Sequence, residues 1–233
     1  GNNTYLKGKY NSIIAMSSYE ALVCSSTVNL KVYYSSQTLS EVTKHFGHMA
    51  CETDIMISDD TSKIYVCGIK FKIIHTPGHS PAHICIVTPD DVAYLGDALI
   101  SYEVMKGAKM PYAFILREDL KSKVKLYDLK CANYVVAHKG IYKDNEITKL
   151  IDDNIEFYKK RAYKIYEIIN GKMTMEEILK EVIKEFNIPV KTQYKYSTLE
   201  RMLRSYVEYL NETGRIAVSM EDGFLKYSKC DEI

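Results

Sequence analysis

The stretch from residue 73 to residue 83 constrains the fold of this chain more than any other. It begins with the end of an apolar, β-branched run, which leads into residues 76–80, whose sequence is Thr-Pro-Gly-His-Ser. Proline and glycine favour a sharp turn, so the pattern predicts a strand that presents His79 just beyond its C-terminal end. A second apolar run ends at Asp97 and a third at His138. Imidazole and carboxylate groups at strand ends are typical of a metal site.

The Thr-Pro-Gly-His-Ser turn, the Gly-Asp pair that ends at Asp97 and the strand-end His138 together resemble the metallo-β-lactamase superfamily. The resemblance implies that His79 binds one of two metal ions, that His138 binds the other and that Asp97 bridges them. It implies zinc, with iron or manganese as alternatives, and hydrolysis of an ester, thioester or phosphodiester by a metal-bound hydroxide. We expect His83 and His75 to support the metal ligands or to contact the substrate, with His75 more suited to orienting its loop.

The second signature of this superfamily, a His-x-His-x-Asp-His loop before the first helix, does not occur in the chain. The first residues resemble the continuation of that loop, so we expect a chain without its N-terminal strands and without part of its metal ligands. The catalytic residues are expected in that loop and are unknown here. With Asp97 shared, each metal ion would have only two protein ligands, whereas working zinc hydrolases usually keep three and a water. We therefore expect little activity from these 233 residues alone.

Hydrophobic periodicity predicts a layered α/β fold. The resemblance implies that residues 1–157 form a partial αββα sandwich. A helix is expected near each of residues 3–10, 39–49 and 120–129. Strands are expected near residues 13–16, 64–71 (two strands joined by a tight turn), 84–87, 92–95 and 134–137.

Residues 158–233 are predicted to form a winged-helix-like α+β module of helices and one β-hairpin. Its hairpin is indicated by an Asp-Gly pair at residues 222–223, flanked by apolar runs. Along the whole chain, three pairs of residues are typical of helix starts: Ser17 with Glu20, Thr174 with Glu177, and Ser197 with Glu200. The complete pattern resembles the metallo-β-lactamase-fold subfamily that carries a C-terminal winged helix.

Charge and composition limit the partners. The net charge is +1, and residues 158–233 hold 14 Lys and Arg against 12 Asp and Glu. Phosphate-binding surfaces need unopposed cations, so duplex DNA is not an expected partner. We expect a small-molecule substrate or, through the resemblance to a subfamily that includes an RNA endonuclease, single-stranded RNA. The C-terminal module is expected to pack on the catalytic domain or on a second subunit, which would make a homo-oligomer.

The sequence also bears on the location of the protein in the cell. No apolar run approaches the ~18–20 residues needed to cross a bilayer, so no membrane association is expected. The six cysteines are scattered and include no Cys-x-x-Cys pair. This distribution favours free thiols in a reducing compartment, and we expect a cytoplasmic protein.

Two alternatives to the hydrolase remain open from the sequence. A mononuclear iron oxygenase of the same fold uses these same three ligand positions. A catalytically inactive binding module would use the winged helix to contact its partners.

Overall fold

The structure is a computed structural model that describes residues 2–230. Its strands are β1 (Ala15–Ser17), β2 (Ile55–Ile57), β3 (Lys63–Val66), β4 (Ile69–His75), β5 (Ile84–Val87), β6 (Val92–Gly96), β7 (Asn133–Val136), β8 (Gly140–Lys143), β9 (Ile216–Glu221) and β10 (Phe224–Lys229). Its α-helices are α1 (Asn3–Tyr10), α2 (Ser18–Val23), α3 (Thr27–Tyr33), α4 (Leu39–Phe46), α5 (Tyr102–Gly107), α6 (Leu116–Lys125), α7 (Asp144–Ile168), α8 (Met175–Glu185) and α9 (Gln193–Glu212).

The central sheet contains six strands in the order β3-β4-β5-β6-β7-β8. All neighbouring pairs are antiparallel except β6 and β7, which are parallel. Strands β4, β6 and β7 therefore run in the same direction, and their C-terminal ends lie at one edge of the sheet. Together with the flanking helices, this arrangement confirms the predicted α/β fold.

The N-terminal segment, from α1 to β2, forms a smaller layer around the two-stranded parallel sheet of β1 and β2. Its core contains Val23, Leu30 and Val42 from α2, α3 and α4. The Asp54 carboxylate joins two parts of this layer, because it accepts hydrogen bonds from the Ile14 backbone N–H (2.9 Å) and from the Lys7 ammonium group in α1 (2.6 Å).

The C-terminal residues form three helices and a hairpin of β9 and β10, joined at the predicted Asp-Gly pair. One apolar core contains Leu116 and Leu120 of α6, Tyr158 and Ile165 of α7, and Leu203 of α9. Helix α7 runs without interruption through the boundary expected between residues 157 and 158. The division into two domains and the winged-helix assignment remain predictions.

The helix starts show which local signals control the fold. The Thr174–Glu177 capping box is confirmed, since Glu177 N–H donates to the Thr174 hydroxyl (3.2 Å) and Thr174 N–H donates to the Glu177 carboxylate (2.7 Å). The predicted start at Ser197 is wrong. Helix α9 begins earlier because Thr192 caps it by accepting from the Lys195 N–H, and Ser197 lies buried inside the helix.

Two further helix predictions need correction. Helix α2 follows Ser17 as predicted, but the Ser17 side chain makes no cap hydrogen bond. The Glu20 carboxylate instead accepts from the Ala82 backbone N–H at 3.3 Å, beside the His79 turn. The helix predicted at residues 120–129 begins at Leu116 and ends at Lys125.

The six cysteines are free thiols, and four of them are buried. Across residues 2–230, no helix is long and apolar enough to cross a membrane. The cellular compartment stays a prediction.

Candidate metal centre

The turn that carries His79 is held against helix α6. Gly78 adopts a φ of +134°, and a Cβ atom at this position would lie 2.1 Å from the Asp119 backbone nitrogen. Only glycine allows so close an approach of the two backbones. The Ser122 hydroxyl donates to the Pro77 carbonyl at 2.7 Å and fixes the other side of the turn. The orientation of His79 therefore depends on the position of α6.

Helix α6 is itself fixed by a buried ion pair. The Lys123 ammonium group donates to the Asp119 carboxylate one helical turn away, and both side chains are almost completely buried. The Lys123 nitrogen also lies 4.3 Å from the centre of the Tyr158 ring of α7. These contacts lock the segment of α6 that touches Gly78.

Asp97 follows β6 at the same edge of the sheet. The preceding residue, Gly96, has a φ of +54°, and a Cβ atom there would lie 2.8 Å from His83 Nε2. The Asp97 backbone N–H donates to His83 Nε2 at 3.2 Å, so the His83 proton is on Nδ1, which donates to the Thr76 hydroxyl at 2.8 Å. Both nitrogens of His83 are thereby engaged, and its role is to position the Asp97 backbone.

His83 is neutral in this arrangement. Burial, and then the neighbouring His79, lower the pKa of His83 to about 4. The structure places His83 beside Asp97, where both of its ring nitrogens make hydrogen bonds, and its part in metal or substrate binding stays a prediction.

His138 lies in the short connection between β7 and β8, in the left-handed region with a φ of 56°. The Ser101 hydroxyl donates to the His138 carbonyl at 3.0 Å and holds this connection. The side chain is 73% exposed and directs Nε2 toward Asp97. Sequence reasoning placed His138 at a strand end, and the structure adds that β8 follows directly.

The three predicted ligands meet at the Asp97 carboxylate. His79 Nε2 lies 3.9 Å from Asp97 Oδ2, and His138 Nε2 lies 3.5 Å from Asp97 Oδ1. Both separations exceed ordinary hydrogen bonds. Two donor atoms that share a tetrahedral metal ion at about 2.1 Å lie about 3.4 Å apart, which is close to both values. The spacing and the donor types therefore fit metal ions on either side of Asp97.

The protonation of His79 also suits a metal ligand. Burial lowers the pKa of His79, so the ring is neutral near pH 7 and one nitrogen keeps a lone pair. Within the described residues, no group of three or more His, Cys, Asp and Glu side chains is arranged to hold a metal ion. The role of His79, Asp97 and His138 as ligands accordingly stays a prediction.

His75 is not part of this centre. Its Nε2 donates to the Thr61 carbonyl at 2.8 Å and ties β4 to the loop before β3. Whether His75 orients its loop or contacts the substrate stays a prediction.

A cavity of about 450 Å³ opens beside the candidate metal centre, a volume in the range of small-molecule sites. Its wall includes side chains that sequence reasoning did not select, among them Glu20, Tyr112 and Arg201. They come from α2, from the loop before α6 and from α9, so no local motif links them to His79.

Hydroxyl groups of two C-terminal tyrosines hold the loop of Tyr112. Tyr158 donates to the Tyr112 carbonyl (3.1 Å), and Tyr206 donates to the Pro111 carbonyl (2.7 Å).

Comparisons with known proteins concern the fold of the chain. Residues 60–138 match the sequence profile of the metallo-beta-lactamase superfamily, a range that contains all three predicted ligands. A metallo-beta-lactamase family protein from Thermus thermophilus superposes with a TM-score of 0.70 at 15% identity, over 99% of this chain and 75% of that one. The chain has a metallo-β-lactamase fold.

A second solved structure supports the same fold. A beta-lactamase domain protein from Burkholderia ambifaria superposes on the metallo-β-lactamase fold of this chain with a TM-score of 0.65 at 13% identity, over 99% of this chain and 70% of that one. No curated protein matches the sequence. Proteins of the metallo-β-lactamase superfamily are generally hydrolases and usually bind metal ions, often zinc.

Proposed function

We propose that this chain carries the site of a metal-dependent hydrolase that cleaves an ester, a thioester or a phosphodiester. The observation that supports this function best is the meeting of His79 and His138 on opposite oxygens of the Asp97 carboxylate, at 3.9 Å and 3.5 Å. A carboxylate contacted in this way can bridge two metal ions, with one histidine for each.

The residues of the chain have distinct parts in this proposal. His79 and His138 would each hold a metal ion, and Asp97 would bind both. When bound, zinc supplies a hydroxide nucleophile and stabilises the negative charge that develops on the substrate. His83 keeps the Asp97 backbone in place, and α6 keeps the His79 turn in place, so the ligands are oriented before a metal ion arrives.

The proposed residues give each metal ion only two protein ligands, fewer than a working zinc hydrolase usually has. Zinc hydrolases usually keep three protein ligands and a water for each metal ion. We therefore expect turnover only when a His-x-His-x-Asp-His segment is joined upstream of this chain, where the resembled superfamily has it.

The test uses zinc-loaded protein with and without that upstream segment, assayed with bis(p-nitrophenyl) phosphate and with a thioester. Turnover in the extended protein that zinc removal or Asp97→Ala abolishes supports the proposal. Glu52→Ala is the matched control, because Glu52 is an exposed carboxylate that pairs with Lys7 away from the centre. Comparable turnover by both proteins, lost in Asp97→Ala, would show that the three ligands suffice. Turnover that survives Asp97→Ala would contradict the proposed centre.

A further inference from the structure

Arg201 projects from α9 into the wall of the cavity beside the candidate metal centre. Its guanidinium carbon lies close to four aromatic ring centres: Tyr33 at 4.2 Å, Tyr34 at 4.7 Å, Tyr112 at 5.0 Å and Phe114 at 5.7 Å. Stacking on aromatic faces holds a guanidinium group in one orientation without using its N–H donors. The rings therefore form a cage that positions Arg201 for another partner.

The protein leaves donor capacity of Arg201 unsatisfied. Within residues 2–230, its Nη2 is buried without a hydrogen-bond partner, and no carboxylate lies within 4.0 Å of the guanidinium group. Arg204, one turn along α9, differs because it is exposed and lies 3.6 Å from Glu200. Glu20 lines the same cavity, but its carboxylate accepts from the Ala82 backbone N–H.

The surrounding phenols do not neutralise Arg201 either. Phenols are ordinarily neutral at pH 7, and the Tyr33 and Tyr112 hydroxyl oxygens lie 3.1 Å apart in a hydrogen bond with each other. A partly buried cation with no carboxylate within ion-pair distance is unfavourable. An anionic ligand in the cavity would supply both the missing charge and the missing acceptor.

Tyr112 connects Arg201 to the candidate metal centre. Its ring centre lies 5.2 Å from that of His79 and 5.0 Å from the Arg201 guanidinium carbon, so both groups lie against the same ring. His79 and Arg201 also line the same cavity, so one small molecule in that cavity can contact both. We infer that Arg201 binds an oxyanion, a carboxylate or a phosphate, on a small substrate whose other end reaches His79 and Asp97. The substrate class rests on the proposed hydrolase, whereas the anion site does not.

The first experiment measures binding to metal-free protein, so that coordination by zinc cannot account for the signal. Inorganic phosphate and glutarate are titrated separately by calorimetry at low ionic strength into the wild-type chain, Arg201→Gln, Arg201→Lys and the matched control Arg204→Gln. We expect one anion per chain, unchanged affinity in Arg204→Gln, and at least about a tenfold loss in Arg201→Gln, the scale of one charge-assisted hydrogen bond. Arg201→Lys keeps the charge without the planar fork and is expected to bind with intermediate affinity.

Two results would overturn the inference: no binding of either anion by the wild-type chain, or equal binding by wild type and Arg201→Gln. If Arg201→Gln does not fold, the side-chain ¹⁵N resonances of wild-type protein decide instead. Phosphate or glutarate must then shift the guanidinium signal of Arg201 and leave that of Arg204 in place, and the reverse pattern would overturn the inference.

A second experiment separates this inference from the proposed function. Zinc-loaded extended protein is assayed with p-nitrophenyl butyrate and with mono-p-nitrophenyl glutarate, which share a leaving group and differ in one carboxylate. The preference in kcat/KM for the anionic ester is expected to fall about tenfold in Arg201→Gln and to persist in Arg204→Gln. Anion binding at Arg201 without hydrolysis supports the inference and contradicts the hydrolase. Hydrolysis of both esters without any dependence on Arg201 supports the hydrolase and contradicts the inference.

Discussion

The buried Asp119–Lys123 pair gives a direct test of what stabilises α6, the helix against which the His79 turn packs. In Lys123→Ala, the Asp119 carboxylate would stay buried, with a side-chain exposure of 2%, and would lose its counter-ion. Removing one partner of a buried pair typically lowers the free energy of unfolding by about 3–5 kcal/mol. That loss is a large fraction of the roughly 5–15 kcal/mol that keeps a typical domain folded. Urea unfolding followed by circular dichroism measures it.

The matched control is Lys121→Ala, because Lys121 forms an ion pair of 2.7 Å with Glu118 on the exposed face of the same helix. Exposed pairs contribute little, so we expect a change below about 0.5 kcal/mol there. The double variant Asp119→Leu/Lys123→Met removes both buried charges and should recover most of the stability lost in Lys123→Ala. Equal, small losses in Lys123→Ala and Lys121→Ala would refute the reasoning, since a buried and an exposed pair would then contribute alike.

Three further predictions concern other parts of the chain. Gly78→Ala should lower the thermal unfolding midpoint and the zinc affinity, because its Cβ would lie 2.1 Å from the Asp119 backbone nitrogen. Gly171 is also at positive φ but lies in open space, so Gly171→Ala should keep the zinc affinity. His83→Ala leaves the Asp97 N–H without its acceptor and should weaken zinc binding about 10–100-fold in a competition titration; unchanged affinity would contradict this role. The pKa of Asp54 is lowered by the Ile14 N–H and by Lys7, so its stabilising effect is present above the ordinary carboxylate pKa and is lost as pH falls through the folded value. In Asp54→Asn, the free energy of unfolding should therefore fall less steeply as the pH is lowered. An unchanged pH dependence would be evidence against this role of Asp54.

The parts of the fold that sequence predicted are those encoded by local chemistry. Residues 76–80 specify their turn by themselves, and Thr174 and Glu177 lie close enough in sequence to form their box wherever the helix packs. The convergence of Asp97 and His138 follows from the parallel pairing of β6 and β7, which brings two strand ends to one edge.

The parts that sequence did not predict depend on distant contacts. Ser197 and Glu200 have the pattern of a helix start, but Thr192 caps the same helix earlier and leaves Ser197 inside it. Arg201 meets Tyr33 and Tyr112 only because α9 packs beside α3 and the loop before α6. A sequence pattern cannot predict this contact, since the three residues come from widely separated parts of the chain.

The most direct test of the proposed centre is anomalous diffraction at the zinc edge from crystals of this chain grown with zinc. We predict a peak bonded to Asp97 and to His79 or His138, at the zinc–ligand distances of about 2.0–2.2 Å. The same peak should be absent in Asp97→Ala and retained in Glu52→Ala. Zinc bound only elsewhere, with the Asp97 carboxylate uncoordinated, would contradict the assignment of these residues as metal ligands.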